Sequence, residues 1–158
     1  MEYKYIPGDL VKVSHKDLGT PEGRIYVIKC ADPDWKEPQG NGEKLIGRYI
    51  LKPIDSVVWR VCTFGKYILP IKLTTDILIK NGWKQTSHVV EKGWYEYYKY
   101  ENENDFLPEI VFYPKNEARD EESFAAFWGD TEIRPDIHYL HELQNLIFGL
   151  DIDFEFKL

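Results

Sequence analysis

The residues best suited to chemistry stand near the carboxyl end, where His138-x-x-His141-Glu142 gathers two imidazoles and a carboxylate. Positions three and four apart on a helix are neighbours, so the two histidines could share a zinc ion with Glu142 as third ligand or as base. The order is H-x-x-H-E, however, and not the H-E-x-x-H of zinc-dependent hydrolases, and His15 and His88 stand far off in the chain. A polar ridge for a partner accounts for the same residues with fewer demands. Asn145 continues that ridge at i+4 from His141. Gln144 lies inside the neighbouring apolar arc, where a buried amide needs partners from a sheet edge or another chain. His138, His141, Glu142, Asn145 and Gln144, joined by Trp35 from an early loop, are therefore the expected partner-binding set. No metal or other cofactor is expected.

Other chemistry is poorly provided for. No G-x-S-x-G presents a nucleophile, and neither Cys30 nor Cys62 has a histidine nearby in sequence. Both cysteines fall in strand-like surroundings, where a small buried thiol is the ordinary role. The run G-N-G-E-K at 40–44 lacks the strand before it and the Lys-Ser/Thr pair of a phosphate loop. The carboxylates of 101–105 and 117–122 read as solvated loops.

Charge divides the chain. Residues 1–72 carry 12 Lys/Arg against 9 Asp/Glu, whereas residues 73–158 carry 8 against 18. An acidic half of that size repels a phosphate backbone, so nucleic acid, as the alternative partner, would have to meet the first half. Lys12, Lys16, Arg24, Lys44, Arg48 and Arg60 supply cations there, with Tyr26, Tyr49 and Trp35 available for stacking.

These residues need elements to position them. Ile137, Tyr139, Leu140, Leu143, Leu146, Ile147, Phe148 and Leu150 recur at helical spacing, which predicts a main helix from an Asp136 N-cap after Pro135 to a stop at Gly149. A shorter helix is expected near 75–81, opened by a threonine cap and closed by Asn81-Gly82. Before it, alternation predicts strands over 9–14, 24–30, 45–51, 57–64 and 67–71. The two prolines and two glycines of 32–42 predict a long loop holding Trp35. After it, strands are expected over 94–100, 109–113, 123–128 and 131–134, with an edge strand over 151–156. The expected fold is mixed: a small SH3-like β-barrel over 1–72, then an α+β domain over 73–158 whose antiparallel sheet packs on the C-terminal helix.

Two resemblances bear on this. The G-D-L-V-K-V opening and the E-G-R-I-Y-V-I strand, through Gly8, Asp9, Val11, Val13 and Gly23, resemble the small SH3-like barrels that include KOW domains. The junction P-I-K-L-T-T-D-I-L-I-K-N-G-W at 70–83, with Y-L-H-E-L-Q-N-L at 139–146, resembles a family of small proteins of Bacteroides-type gut bacteria, their phages and mobile elements. That family's junction reads P-L-T-x-E-I-L-x-K-N-G-F, and Lys72 and Trp83 depart from it where proline and phenylalanine are usual. The resemblance implies origin and fold, and no reaction.

Composition limits the rest. A chain of 158 residues with 43% hydrophobic and 15% aromatic content can bury a core, and no apolar run reaches the roughly 20 residues of a membrane span. The expectation is a cytoplasmic, non-catalytic protein that binds a protein partner through its acidic, aromatic-rich second half.

Overall fold

A computed structural model describes residues 5–14, 16, 19–38, 44–56, 60–91, 95–117 and 119–158. The chain divides into two compact units, Met1–Ile71 and Lys72–Leu158. Each is built on one antiparallel sheet of five strands. No helix among the described residues is long and apolar enough to cross a membrane.

The first unit holds β1 (Leu10–Val13), β2 (Tyr26–Pro38), β3 (Lys44–Pro53), β4 (Val61–Phe64) and β5 (Ile68–Pro70), with one 3-10 turn at Gly65–Tyr67. Their order in the sheet is β4-β3-β2-β1-β5. Alternation turns Val11 and Val13, Tyr26 and Ile28, and Tyr49 and Leu51 to one face, where Tyr5 and Ile68 complete the core. Among the described residues β4 and β5 stay unpaired at opposite edges, so the expected barrel does not close.

The expected loop over 32–42 is largely strand. Asp32 faces Arg48 and Lys36 faces Ile46, so Pro33, Asp34 and Trp35 are accommodated opposite Gly47 alone. A bulge tolerates a proline because its missing N–H costs no ladder bond there. Gly47 is required at this point, since its φ is 70° and an added Cβ would meet Tyr49 Cε2 at 2.9 Å. Residues 39–42 of that expected loop, and 57–59 of the expected fourth strand, lie outside the described residues.

The second unit runs α1 (Thr75–Lys80), β6 (Trp83–Glu91), β7 (Tyr95–Asn102), β8 (Glu109–Tyr113), β9 (Ser123–Trp128), β10 (Thr131–Ile137) and α2 (Leu140–Gly149). The strands follow one another across the sheet, order β10-β9-β8-β7-β6. Thr74 Oγ1 accepts from Ile77 N at 3.3 Å to open α1, and Gly82, at φ 92°, lets the chain turn straight into β6. Tyr98, Phe112, Phe124 and Ile137 stand in register across four strands, beside a second row of Tyr100, Ile110 and Ala126. Leu78 of α1 and Leu140, Leu143 and Ile147 of α2 are buried.

The main helix begins later than its apolar spacing predicts. Asp136 belongs to β10 at φ 49°, within the second of two register slips, and caps nothing. Ile137 pairs with Phe124, Tyr139 bridges Lys72, and Leu73 N donates to His138 O at 2.9 Å. These backbone bonds hold 137–139 extended, so only Leu140 is free to enter a helix.

The expected strand at 151–156 is not a strand. Asp151, at φ 59°, ends the helical turn, and the following aromatics pack on a single ring instead of joining a ladder. Phe156 stacks on Trp83 with centroids 6.0 Å apart, and Phe154 meets the same indole edge-on at 5.5 Å. Trp83 is fully buried, and its Nε1 donates to Pro108 O at 3.0 Å.

Candidate functional site

The expected ridge does not form, because the later helix start leaves His138 outside the helix and His141 is buried. His141 is 3% exposed and lies in the buried row with Leu140 and Leu143, its ring stacked against Tyr139 at 5.9 Å. Desolvation there pushes its pKa below the ordinary value, although Glu142 pulls the other way. Glu142 Oε2 accepts from His138 N at 2.8 Å and Tyr139 N at 3.0 Å, so this carboxylate caps α2. Gln144 and Asn145 are half-buried, and the Oδ1 of Asn145 is enclosed without a hydrogen bond. His138, His141 and Glu142 therefore form no ligand set. Among the described residues no three His, Cys, Asp or Glu side chains gather to hold a metal ion.

His138 instead lines a cleft of about 400 Å³ with Lys72, Lys115, Asp120, Glu121, Glu122 and Tyr139. Its floor is fixed by the Lys72–Tyr139 bridge, and its wall is the charged segment between β8 and β9. Lys72 Nζ meets Glu122 Oε1 at 2.8 Å, and that bond raises the lysine pKa. Two amines set against three carboxylates nearly cancel, so the cleft suits polar groups of either sign and traps neither. The carboxylates of 117–122 read in sequence as a solvated loop. Nothing local in it signals that Glu122 pairs with a lysine at the other end of the unit.

The opposite end of the sheet has a different character. Glu109 faces Phe127, so the turn before β8 and the turn after β9 close the same end. Phe106, in the first of these turns, is 72% exposed, and Trp128, the last residue of β9 before the second, is 48% exposed. The C-cap of α1 reaches this end too, because Asn102 Nδ2 donates to Asn81 O at 3.1 Å, and α1 leaves Ile79 exposed. Around these apolar groups stand exposed Glu103, Asp105, Asp130 and Glu132, of which Glu103 is paired with Lys84. Aromatic side chains framed by carboxylates are the composition of a protein-contact surface.

On the β6–β7 hairpin, His88 and Tyr98 lie ring on ring at 4.3 Å, and both bond Glu96 Oε1, at 2.8 and 2.6 Å. Those hydrogen bonds, the tyrosine's first, lower the Glu96 pKa. One acceptor shared by two stacked rings is a cross-strand brace.

In the first unit the expected nucleic-acid set separates. Tyr26 and Tyr49 are core residues on the inner face, at 1% and 3% exposure, so neither can stack on a base. Arg24 is bound to Asp55 through two nitrogens, at 3.0 and 2.8 Å, which offsets its charge. Lys12 is half-buried and Arg60 exposed, while the side chain of Lys44 lies outside the described residues. Arg48 and Trp35 do come together: the guanidinium lies 5.7 Å from the indole centroid, and the indole stacks on Phe64 at 5.6 Å. Cys30 and Cys62 are exposed rather than buried, in register on either side of Ile50. His15 lies outside the described residues.

No protein-family model, curated protein or solved structure matches this chain. The functional reading accordingly rests on the surfaces themselves.

Proposed function

We propose that this is a non-catalytic binding protein that engages a protein partner through its second unit, at the sheet end formed by the β7–β8 and β9–β10 turns. One observation carries the reading: Phe106 and Trp128 are held in water at the same end of a rigid sheet, inside a frame of four carboxylates. Exposing two large aromatics forgoes apolar burial that folding normally uses, and aromatic anchors of this kind dominate binding energy at interfaces. The frame selects a partner with basic groups around an apolar centre. An origin in a bacterial mobile element, with action in the host cytoplasm, fits such a role and belongs to the same proposal. The strand order of the first unit, with β1 paired to β5, supports reading it as an SH3-like fold left open between β4 and β5.

The test uses the full chain as bait in bacterial lysate, followed by titration of the purified captured protein. Phe106→Ser with Trp128→Ala should weaken that titration by roughly thirtyfold or more, the scale of losing interfacial aromatic anchors. Asp105→Lys with Asp130→Lys should slow association and flatten its salt dependence. Retention of nothing at low salt, or affinity indifferent to both pairs of substitutions, rejects the proposal.

A further inference from the structure

The outer face of β2, β3 and β4 in the first unit has no part in that reading, and it carries its own chemistry. Register places Arg48 between Asp32 and Phe64, and Ile50 between Cys30 and Cys62, so all six share one face. The bulge adds Trp35, which it turns onto Phe64, and Arg48 lies over the indole while its Nε donates to Cys62 Sγ at 3.4 Å. Lys36, opposite Ile46, and Lys52, two residues beyond Ile50, add cations to the same surface. Asp32, opposite Arg48, and the exposed Asp34 of the bulge are the acids beside them.

We infer that this face binds single-stranded nucleic acid, with the Trp35–Phe64 stack as the platform for a base and Arg48, Lys36 and Lys52 along the backbone path. A flat sheet face with a half-exposed aromatic stack is sequence-tolerant, because every base has a π-face, and a guanidinium beside it both stacks and contacts phosphate. Three cations against Asp32 and the neighbouring Asp34 leave the face net positive within a protein whose net charge is −7. Single strands are specified because the platform needs an unstacked base, which a duplex withholds. The arrangement is independent of Tyr26 and Tyr49, whose rings belong to the core.

The experiment is fluorescence anisotropy of the full chain with labelled dT20 and rU20 at low salt, with a 20-base-pair duplex as comparison. Binding should favour the single strands and fall with salt at a slope near −2, for about three displaced counterions. Arg48→Glu should weaken it by roughly tenfold or more, and so should Trp35→Ala, while Trp35→Phe restores most of it. Reversal of Arg24, already paired with Asp55, should leave it unchanged. A footprint places the ligand: both cysteines of the chain stand on this face, so dT20 should slow their alkylation. Far-ultraviolet circular dichroism confirms that each variant is folded. Absence of binding at low salt, equal binding of duplex, retention by folded Arg48→Glu and Trp35→Ala, or alkylation rates unmoved by dT20 overturns the inference. Capture of a protein on this face, lost with the same two substitutions while dT20 has no effect, also overturns it.

Discussion

Asn81 and Lys157, 76 positions apart, exchange two hydrogen bonds: the asparagine amide donates to Lys157 O at 2.8 Å, and its Oδ1 accepts from Lys157 N at 2.7 Å. The same amide nitrogen donates to Ile77 O at 2.8 Å, so one buried side chain ends α1 and clasps the tail that carries Phe154 and Phe156 onto Trp83. Local and distant structure thus meet in a residue that reads in sequence only as half of an Asn-Gly helix stop.

Replacing Asn81 by Ala should destabilise the protein by about 1–3 kcal/mol, since it leaves the part-buried N–H and C=O of Lys157 unpaired. Urea denaturation measures this, and hydrogen exchange should show the amide of Lys157 losing protection first. A loss under about half a kcal/mol would mean that water replaces the clasp at no cost.

His141 makes stability depend on pH. Its buried imidazole takes a proton less readily than in the unfolded chain, where the ordinary value is 6.5, so below that value unfolding takes up protons. Its contribution is therefore complete above the ordinary value and is lost progressively as pH falls beneath it. Denaturation midpoints of the native chain should drop as pH falls below 6.5, and His141→Phe should flatten that segment. An equal slope in the variant would assign the drop to other groups.

Gly47→Ala should cost about 1–3 kcal/mol, from a left-handed backbone angle of 70° and a Cβ that meets Tyr49 Cε2 at 2.9 Å. The Trp35–Phe64 stack sits on the bulge that Gly47 permits, so the variant should also alter tryptophan fluorescence. Thermal unfolding together with emission spectra reads both effects.

Where a local rule and the tertiary pairing agree, the fold was legible. The span of β8 and β9, the threonine cap of α1 and its Asn81-Gly82 stop all follow from alternation and capping chemistry. At Asp136 the two disagree. Pro135-Asp136 looks like a helix start, but Ile137 and Tyr139 are held by Phe124 and Lys72, partners distant in sequence. That offset takes His138 out of the helix, and the burial of His141 is set by tertiary packing that its helical position does not reveal. The prolines of 32–42 misled in the same way, because a bulge opposite Gly47 absorbs what a regular ladder would reject. Burial of Tyr26 and Tyr49, by contrast, was present in the alternation with Ile28 and Leu51 and needed only to be followed to the inner face. The Phe106 and Trp128 surface has no motif at all, since it arises from two turns meeting at one end of a sheet.

The two open margins of the second sheet differ in what they offer to a stray strand. β10 slips register twice, carries Pro135 without an N–H, and bends at Asp136, so a neighbouring chain finds no continuous row of amides to zip onto. β6, over nine residues, slips once, and its run from Ser87 to Glu91 is regular. Strand exchange between copies of this second sheet is thereby confined to the β6 flank. Two such flanks joined together leave only β10 margins outward, so the pairing stops at two copies and does not propagate into a fibre.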